Sequence, residues 1–479
     1  MTSSVDDPSL DDVRTSAFEW LHECRTAAIP MGDVHHGRTL IFDSRYDEIF
    51  TALPGYATAL AKLEAVPHIR RLYGEGFQFR ILLGLAFETI PRMVIDEPGE
   101  ALDAVLDEAW RAFMAEALDP EWHYLAVANL GGIVPVAKFD ETLEIALGVR
   151  VAMRTREFLE SLGDAVDMFR RDWSEGGHSE LVLIAEGAVP KTPDNVVNGS
   201  DESLLERLTR TITAMRLARQ GGLRHGVVFC LRRSRFLRLG GVQTRGNASR
   251  RFSSTQGDLR WDDSARVAST AMYQAVAGIE PRLGGDWGSI AAAIRSYQSA
   301  LNRTGAEVAD KILDSTTALE ALVGDRTETV FKVRLRLASL LGDSDDDVRA
   351  LFVLVGRYYD LRSTVVHGDV LKPKHQELLL NSDRWLEVAR LAICAFMKLA
   401  HAGVFASGKK VREEIDTLLI HGSDRTRVRA AFAERWSAAT AAAVEGSHGR
   451  IVGFCAEVPS SAVVTFIGEQ LPQNTGDPT

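Results

Sequence analysis

The stretch Arg357-Tyr-Tyr-Asp-Leu-Arg362-Ser-Thr-Val-Val-His367-Gly-Asp369 decides how the fold of this sequence is interpreted. It closes a series of amphipathic segments, and the glycine directly after the histidine predicts that a helix ends at this point. Close to that end lie a guanidinium from Arg362, a hydroxyl from Ser363 and an imidazole from His367. The rest of the chain is interpreted as scaffold or recognition surface for this helix end.

On both sides of this stretch, apolar residues recur at the three- and four-residue spacing of amphipathic helices. The segment Ala306–Val323, for example, places Val308, Ile312 and Leu319 on one stripe. The predicted helices cover residues 264–281, 287–303, 306–323, 328–342, 346–367 and 383–405. Because short polar connections join these long helices, the sequence predicts an antiparallel bundle.

The N-terminal part of the chain shows a mixed pattern, typical of an α+β region. Helices are predicted over residues 101–117 and 201–219, and strands over residues 122–129, 144–153, 180–185 and 226–231. A stretch rich in Gly, Ser, Arg and Asn, without periodicity, follows at residues 237–263 and predicts a boundary. Beyond residue 408 the pattern favours two more helices and then short strands near residues 450 and 463.

The predicted fold class is therefore a multidomain protein, in which an all-α bundle follows an α+β N-terminal half. The N-terminal half, residues 1–260, is interpreted as a sensor or recognition region, and residues 264–405 form the bundle. Residues 406–479 form a small C-terminal extension.

Composition excludes several classes of protein. The formal net charge of −11 argues against a nucleic-acid coat protein, although it permits a local basic groove. The four cysteines are far apart and form no Cys-x-x-Cys pair, so neither a zinc ribbon nor a disulfide framework is expected. No apolar run reaches membrane-spanning length and the N-terminus is polar, which favours the cytoplasm. Phosphate-binding loops and hydrolase motifs are missing from the sequence, so no metal and no cofactor are expected.

The segment from Ala309 to Asp369 resembles the Apea-like members of the HEPN superfamily in both the order and the spacing of its motifs. The residues that carry the resemblance are Ala-Leu-Glu320-Ala-Leu, Thr-Glu328-Thr, Arg336-Leu-Ala-Ser-Leu-Leu and Tyr359-Asp-Leu-Arg362-Ser-Thr-Val-Val-His367-Gly. Many members of the superfamily are metal-independent ribonucleases that carry an arginine, a polar residue and, a few positions later, a histidine. The resemblance implies that Arg362, Ser363 and His367 are catalytic, with supporting roles for Glu320, Arg336, Tyr359 and Asp360.

These residue types suit the cleavage of RNA, whose own 2′-hydroxyl is the nucleophile. A histidine titrates near neutral pH and can transfer the protons. An arginine stays charged and offers a planar fork to phosphate oxygens. The resemblance further implies a role in prokaryotic antiviral defence, such as abortive infection on a phage-derived trigger, with RNA as substrate and no membrane partner.

The helical spacing sets a geometric condition on this site. Five positions along a regular helix correspond to a rotation of about 140°, so Arg362 and His367 would not share a face, whereas Ser363 and His367 would. Members of the superfamily commonly pair two bundles around one cleft. We therefore expect a homodimer in which groups from both chains meet one phosphate.

Two alternatives to catalysis at this helix end remain open. The bundle can be a dimerisation or RNA-binding module without activity, in which Arg362 pairs with Glu320 and His367 only ends the helix. It can also accept a modification from a partner nucleotidyltransferase at Tyr358 or Tyr359. The bare Arg-to-His spacing is weak evidence, since it also occurs at Arg171/His178 and at Arg219/His225.

An arginine-rich stretch, Leu231–Arg251, contains seven arginines and no acidic residue. It predicts contact with an RNA backbone, against the simpler interpretation of a solvated strand edge and loop. The candidate RNA-binding residues in it are Arg232, Arg233, Arg235, Arg250 and Arg251.

Overall fold

The computed structural model describes most of the chain up to residue 420, and all structural statements below concern the described residues alone. These are residues 8–28, 51–74, 102–136, 143–162, 180–192, 202–219, 221–233, 243–245, 258–303, 307–325, 329–342, 345–401 and 405–420. The predicted strands near residues 450 and 463, and the second helix of the C-terminal extension, lie outside the described residues.

The N-terminal part alternates helices and strands. Its helices are α1 (Pro8–Ala28), α2 (Pro54–Ala65), α3 (Pro67–Tyr73), α4 (Leu102–Leu118), α5 (Arg156–Ser161) and α6 (Glu202–Ala218). Its strands are β1 (Glu121–Gly131), β2 (Ile133–Pro135), β3 (Leu143–Ala146), β4 (Val149–Met153), β5 (Leu181–Pro190), β6 (Arg224–Arg232), β7 (Gln243–Arg245) and β8 (Leu259–Trp261).

The strands are arranged in a six-stranded sheet, with the order β3-β4-β5-β1-β6-β7, and a parallel pair of β2 with β8. Strands β3 and β4 are antiparallel and are joined by a tight turn in which Gly148 has a φ of 69°. The buried runs Tyr124–Ala128 in β1 and Leu181–Ala185 in β5 are continuous rather than alternating, as in strands that are covered on both faces. The predicted strands are confirmed, except that residues 144–153 form two strands separated by this turn.

The C-terminal part is helical, as the periodicity predicted. Its helices are α7 (Asp263–Ile279), α8 (Gly288–Leu301), α9 (Val308–Val323), α10 (Thr329–Leu341), α11 (Asp345–His367), α12 (Pro373–Leu380), α13 (Ser382–His401) and α14 (Gly408–Ile420). Six of them match the predicted helices of the bundle region to within a few residues, and α14 matches the first predicted helix of the extension. Helix α12 was not predicted, because its short apolar pattern follows a Lys-Pro-Lys sequence that is typical of a loop.

One apolar core joins α7 to α14, and it is formed by the predicted stripes. Ile312 and Leu319 on α9 are fully buried. Trp385 on α13 stacks on Tyr358 of α11 with ring centroids 4.6 Å apart, and its indole N–H donates to the Thr316 hydroxyl over 3.0 Å. Burial of one large apolar side chain contributes about 2–3 kcal/mol before entropy is counted. This core therefore holds α11 in place.

Polar contacts join the end of α6 to two of these helices. The Arg390 guanidinium on α13 donates to the Leu217 carbonyl over 2.6 Å, and the Tyr297 hydroxyl on α8 donates to the Arg216 carbonyl over 3.4 Å. Both carbonyls belong to the last turn of α6, where a helix lacks internal donors. The Arg390 charge is balanced by Glu387, which its guanidinium contacts through two nitrogens. The end of α6 is therefore capped by side chains of the helical region.

The contacts within the chain define two compact units. The first comprises Met1–Ala126, Ala185–Leu205 and Phe229–Arg245, and the second comprises Val127–Ile184, Glu206–Val228 and Gly246–Thr479. Helices α7 to α14 thus belong to the same unit as most of α6. This division does not coincide with the sequence boundary near residue 260, because the capped end of α6 is bonded into the helical region.

Helix α11 ends in a left-handed turn at Gly368, whose φ is 70°. The Gly368 N–H donates to the Val365 carbonyl over 3.2 Å, and the Asp369 N–H donates to the Thr364 carbonyl over 3.0 Å. This pair of bonds defines a Schellman motif. The predicted end of the helix after His367 is confirmed.

We expect Gly368→Ala to lower the free energy of unfolding by about 1 kcal/mol, because a side chain at a left-handed position is strained. No atom lies within 4 Å of a Cβ built at Gly368, so the cost is conformational rather than steric. Urea denaturation measures the change. Gly284→Ala is the matched control, since its Cβ also meets no atom within 4 Å and its φ is not positive. Equal losses in both variants would contradict this account.

Candidate functional site

The end of α11 presents two of the three predicted catalytic side chains directly to solvent. His367 is the last residue of the helix, and both His367 and Ser363 are exposed. Ser363 lies one turn before His367, so the two side chains share a face of the helix. The Schellman turn at Gly368 directs the chain away after His367, and the imidazole remains open to solvent.

Arg362 lies on the wall of a pocket and is paired weakly. Its guanidinium is 3.7 Å from the Glu320 carboxylate, beyond ordinary hydrogen-bond length, and its side chain is 37% exposed. An ion pair of this exposure contributes about 0–1 kcal/mol. Arg362 is therefore held near Glu320 and still has guanidinium surface available to an incoming anion.

Tyr359 orients the Glu320 carboxylate through a hydrogen bond. Its hydroxyl donates to Glu320 over 3.1 Å, and the ring is buried. Burial, followed by the negative charge of Glu320, raises the pKa of Tyr359. The phenol is therefore a neutral donor at physiological pH and keeps Glu320 beside Arg362.

The pocket has a volume of about 750 Å³ and is formed by the end of α9, the start of α10, the second half of α11 and α14. This volume lies within the range of small-molecule sites. The residues that line it are Glu320, Gly324, Asp325, Thr329, Val330, Tyr359, Arg362 and Arg412. His367 and Ser363 do not line it, since His367 lies about 7.5 Å further along the helix and is rotated by about 140°.

Arg336 is buried and serves the packing of the helices. Its guanidinium donates to both carboxylate oxygens of Asp416 over 2.7 and 2.6 Å, and to the Val323 carbonyl over 2.7 Å. The hydrogen bond to Asp416, ahead of the opposing effect of burial, raises the pKa of Arg336. Arg336 thus connects α9, α10 and α14 without lining the pocket itself.

Asp360 faces away from Arg362 and holds α12. Its carboxylate is 2.5 Å from the Lys374 ammonium and 3.2 Å from the Nε2 atom of His375, and these bonds lower the pKa of Asp360. His375 is buried in the first turn of α12, where its Nδ1 atom accepts from the Lys372 N–H over 3.4 Å. Asp360 therefore has a structural contact with α12, and the supporting role that the resemblance implies stays a prediction.

The arginine-rich stretch is described only in part. The Arg232 guanidinium lies 4.0 Å from the Trp122 ring centroid and donates to the Tyr124 hydroxyl over 3.2 Å. Arg233 is exposed and pairs with Glu186 over 3.1 Å. Arg232 is thus engaged with aromatic rings, and Arg233 remains on the surface. Three of the candidates lie outside the described residues: Arg235, Arg250 and Arg251.

The competing Arg-to-His spacings differ from the helix end in environment. Arg171 and His178 lie outside the described residues. His225 lies in β6, and burial together with the nearby Arg216 guanidinium lowers its pKa to about 4. An imidazole with this pKa is neutral at physiological pH and is a weak base. The neutral His225 is therefore a weaker candidate base than His367, which is exposed at the end of α11.

Sequence reasoning did not single out Arg412, which contributes a second guanidinium to the pocket. The residue belongs to the C-terminal extension, far along the chain from the motif, and no spacing pattern links it to Arg362. The packing of α14 against α8, α10 and α13 brings it to the pocket.

Within the described part of the chain, no helix is long and apolar enough to cross a membrane. The same residues contain no group of three or more His, Cys, Asp or Glu side chains that could hold a metal ion. Comparison with protein-family models, curated proteins and solved structures found no match to this chain. The resemblance to the HEPN superfamily therefore depends on the motif residues alone.

We expect His225→Gln to make the fold less sensitive to acid without changing any activity of the helix end. The histidine pKa of about 4 in the folded state lies below its ordinary value of 6.5, so protonation favours the unfolded chain. The part of the free energy of unfolding that depends on neutral His225 should be fully present above pH 6.5. It should be lost as the pH drops toward 4. Urea midpoints between pH 4 and 7 would show a shallower fall in the variant. An unchanged pH profile would contradict this assignment.

Proposed function

We propose that this protein is a metal-independent endoribonuclease with a HEPN-like bundle, in which Arg362 and His367 cleave RNA. The observation that carries the proposal is the exposure of both groups near one helix end. Arg362 lines an open pocket and is only weakly paired, and His367 is exposed at the turn that ends α11. Because both side chains lie outside the apolar core, they are available to a polymer that binds at the surface.

The proposed reaction is an internal transfer at one phosphodiester. An imidazole removes the proton of the 2′-hydroxyl, and the 2′-oxygen forms a bond to phosphorus. The bond between phosphorus and the 5′-oxygen breaks, and that oxygen receives a proton. The products are a 2′,3′-cyclic phosphate and a 5′-hydroxyl. The Arg362 guanidinium stabilises the charge on the phosphorane-like transition state, for which general acid–base and electrostatic effects each contribute about 10²–10³ in rate.

The separation of the two groups within one chain favours a site that is shared between two chains. Arg362 faces the pocket and His367 lies outside its lining. A two-fold dimer repeats each group on the partner, so that the guanidinium of one chain can meet the imidazole of the other. The homodimer is part of the proposal, together with the role in antiviral defence that the resemblance implies.

The alternative in which a tyrosine accepts a nucleotide has less support. Tyr358 is fully buried, and its hydroxyl donates to the Asn381 carbonyl over 2.7 Å. Burial raises the pKa of Tyr358, which makes its phenol a poor nucleophile. Tyr359 lines the pocket, but its hydroxyl is committed to Glu320. The non-catalytic RNA-binding module remains the main rival.

We expect Arg362→Ala and His367→Ala each to reduce the cleavage of RNA by about 100-fold or more, since each variant removes one part of the chemistry. Cleavage is measured on total RNA in the presence of EDTA, in which a metal-independent enzyme stays active. Arg357→Ala is the matched control, because Arg357 is an exposed arginine on the same helix outside the pocket. Wild-type cleavage by both variants, or no cleavage by the wild-type protein, would refute the proposal.

A complementation experiment tests whether two chains share the site. In a dimer whose sites pair the arginine of one chain with the histidine of the other, one heterodimer of Arg362→Ala with His367→Ala has one intact site. Random exchange of subunits should therefore restore about a quarter of the wild-type sites. Sites contained within single chains would gain nothing from mixing. Each variant incubated alone, through the same exchange procedure, is the control.

A further inference from the structure

Two guanidiniums from different parts of the sequence line the same pocket. Arg362 is contributed by α11, inside the motif, and Arg412 is contributed by α14, in the C-terminal extension. Arg412 is half-buried, and its Nη1 atom donates to the Leu322 carbonyl over 3.1 Å. The last turn of α9 thus positions the side chain of Arg412 at the wall of the pocket.

The electrostatic setting of Arg412 favours an anion. Burial lowers the pKa of Arg412, and the positive charge of the nearby Arg336 guanidinium lowers it further. Asp325, which also lines the pocket, is bonded to Lys332 over 3.0 Å and lies 3.6 Å from Arg336. The carboxylates around the pocket therefore already have cations beside them, and a second guanidinium gains most from a negatively charged ligand.

The charged side chains that line this pocket balance each other: Arg362 and Arg412 against Glu320 and Asp325. This balance contrasts with the net charge of −11 on the whole chain. An anion therefore meets less repulsion at this pocket than the protein as a whole exerts.

The size and the walls of the pocket indicate more than a lone phosphate. A volume of about 750 Å³ exceeds the need of one small anion. Val330 at the start of α10 supplies an apolar wall and is 47% exposed, so a ribose or a base can cover it. The combination of two guanidiniums and an apolar wall matches the parts of a nucleotide.

We propose that Arg412 is a second phosphate-binding residue, and that the pocket holds one nucleotide of the RNA whose phosphate contacts both Arg362 and Arg412. This inference rests on the proposed ribonuclease function and extends it to the C-terminal helix α14. In this arrangement Arg412 binds and positions the substrate, whereas the proton transfers remain with His367.

The test measures the binding of adenosine 3′-monophosphate and of inorganic phosphate by titration calorimetry on the full chain. Arg412→Gln is the main variant, because its amide keeps a donor for the Leu322 carbonyl and removes the charge. Arg357→Gln is the matched control on an exposed arginine outside the pocket. We expect the nucleotide to bind at least tenfold more tightly than phosphate, and Arg412→Gln to weaken the nucleotide about tenfold or more. Arg357→Gln should stay within twofold of wild type.

Kinetics on RNA provide the second readout. Arg412→Gln should raise KM about tenfold and change kcat much less, whereas Arg412→Lys should recover most of the affinity because it keeps the charge. Wild-type nucleotide affinity in Arg412→Gln would overturn the inference, and equal affinities for phosphate and nucleotide would overturn its nucleotide part. Wild-type RNA cleavage by Arg362→Ala and His367→Ala would instead refute the proposed function, whatever the nucleotide affinity of Arg412→Gln.

Discussion

A buried arginine, Arg336, is the constraint on which the pocket depends. Its guanidinium binds both oxygens of Asp416 on α14 and the carbonyl of Val323 at the end of α9, and it is only 3% exposed. A guanidinium at this depth requires its hydrogen bonds, because a buried donor left without a partner costs about 1–3 kcal/mol. Arg336 thereby fixes α9, α10 and α14 relative to one another. This arrangement places Arg412 of α14 at the same pocket as Arg362.

The six long helices of the bundle region were predictable because they bury stripes at helical spacing, as Ile312 and Leu319 do on α9, whereas the short helix α12 buries only His375. The end of α11 was predictable for a local reason as well, since glycine at position 368 is suited to the left-handed turn that follows His367. The pocket was not predictable, because Arg412 reaches Arg362 only through the tertiary packing of α14. The attachment of α6 to the helical region was not predictable for the same reason, since the bonds from Arg390 and Tyr297 to α6 join residues far apart in sequence.

The polar residues of the motif differ in how tightly they are paired. Asp360 is engaged by Lys374 and His375, and Arg336 is committed to Asp416, so these two motif residues maintain the fold. Arg362 has a 3.7 Å contact with Glu320 as its ion pair among the described residues, and His367 is exposed. The motif thus combines residues that brace the helices with residues whose side chains remain accessible at the surface.

The capping of α6 has a consequence for how this protein can be divided. The Arg390 guanidinium donates to the carbonyl of Leu217, which belongs to α6, as well as to its partner Glu387. A fragment that starts at residue 264 would lack that carbonyl and would expose the apolar side chains that share a core with Ala214, Leu217 and Ala218 of α6. Excision of the helical region at the boundary suggested by composition would therefore yield a fragment prone to aggregation. A stable fragment has to retain α6, and limited proteolysis should release the two together.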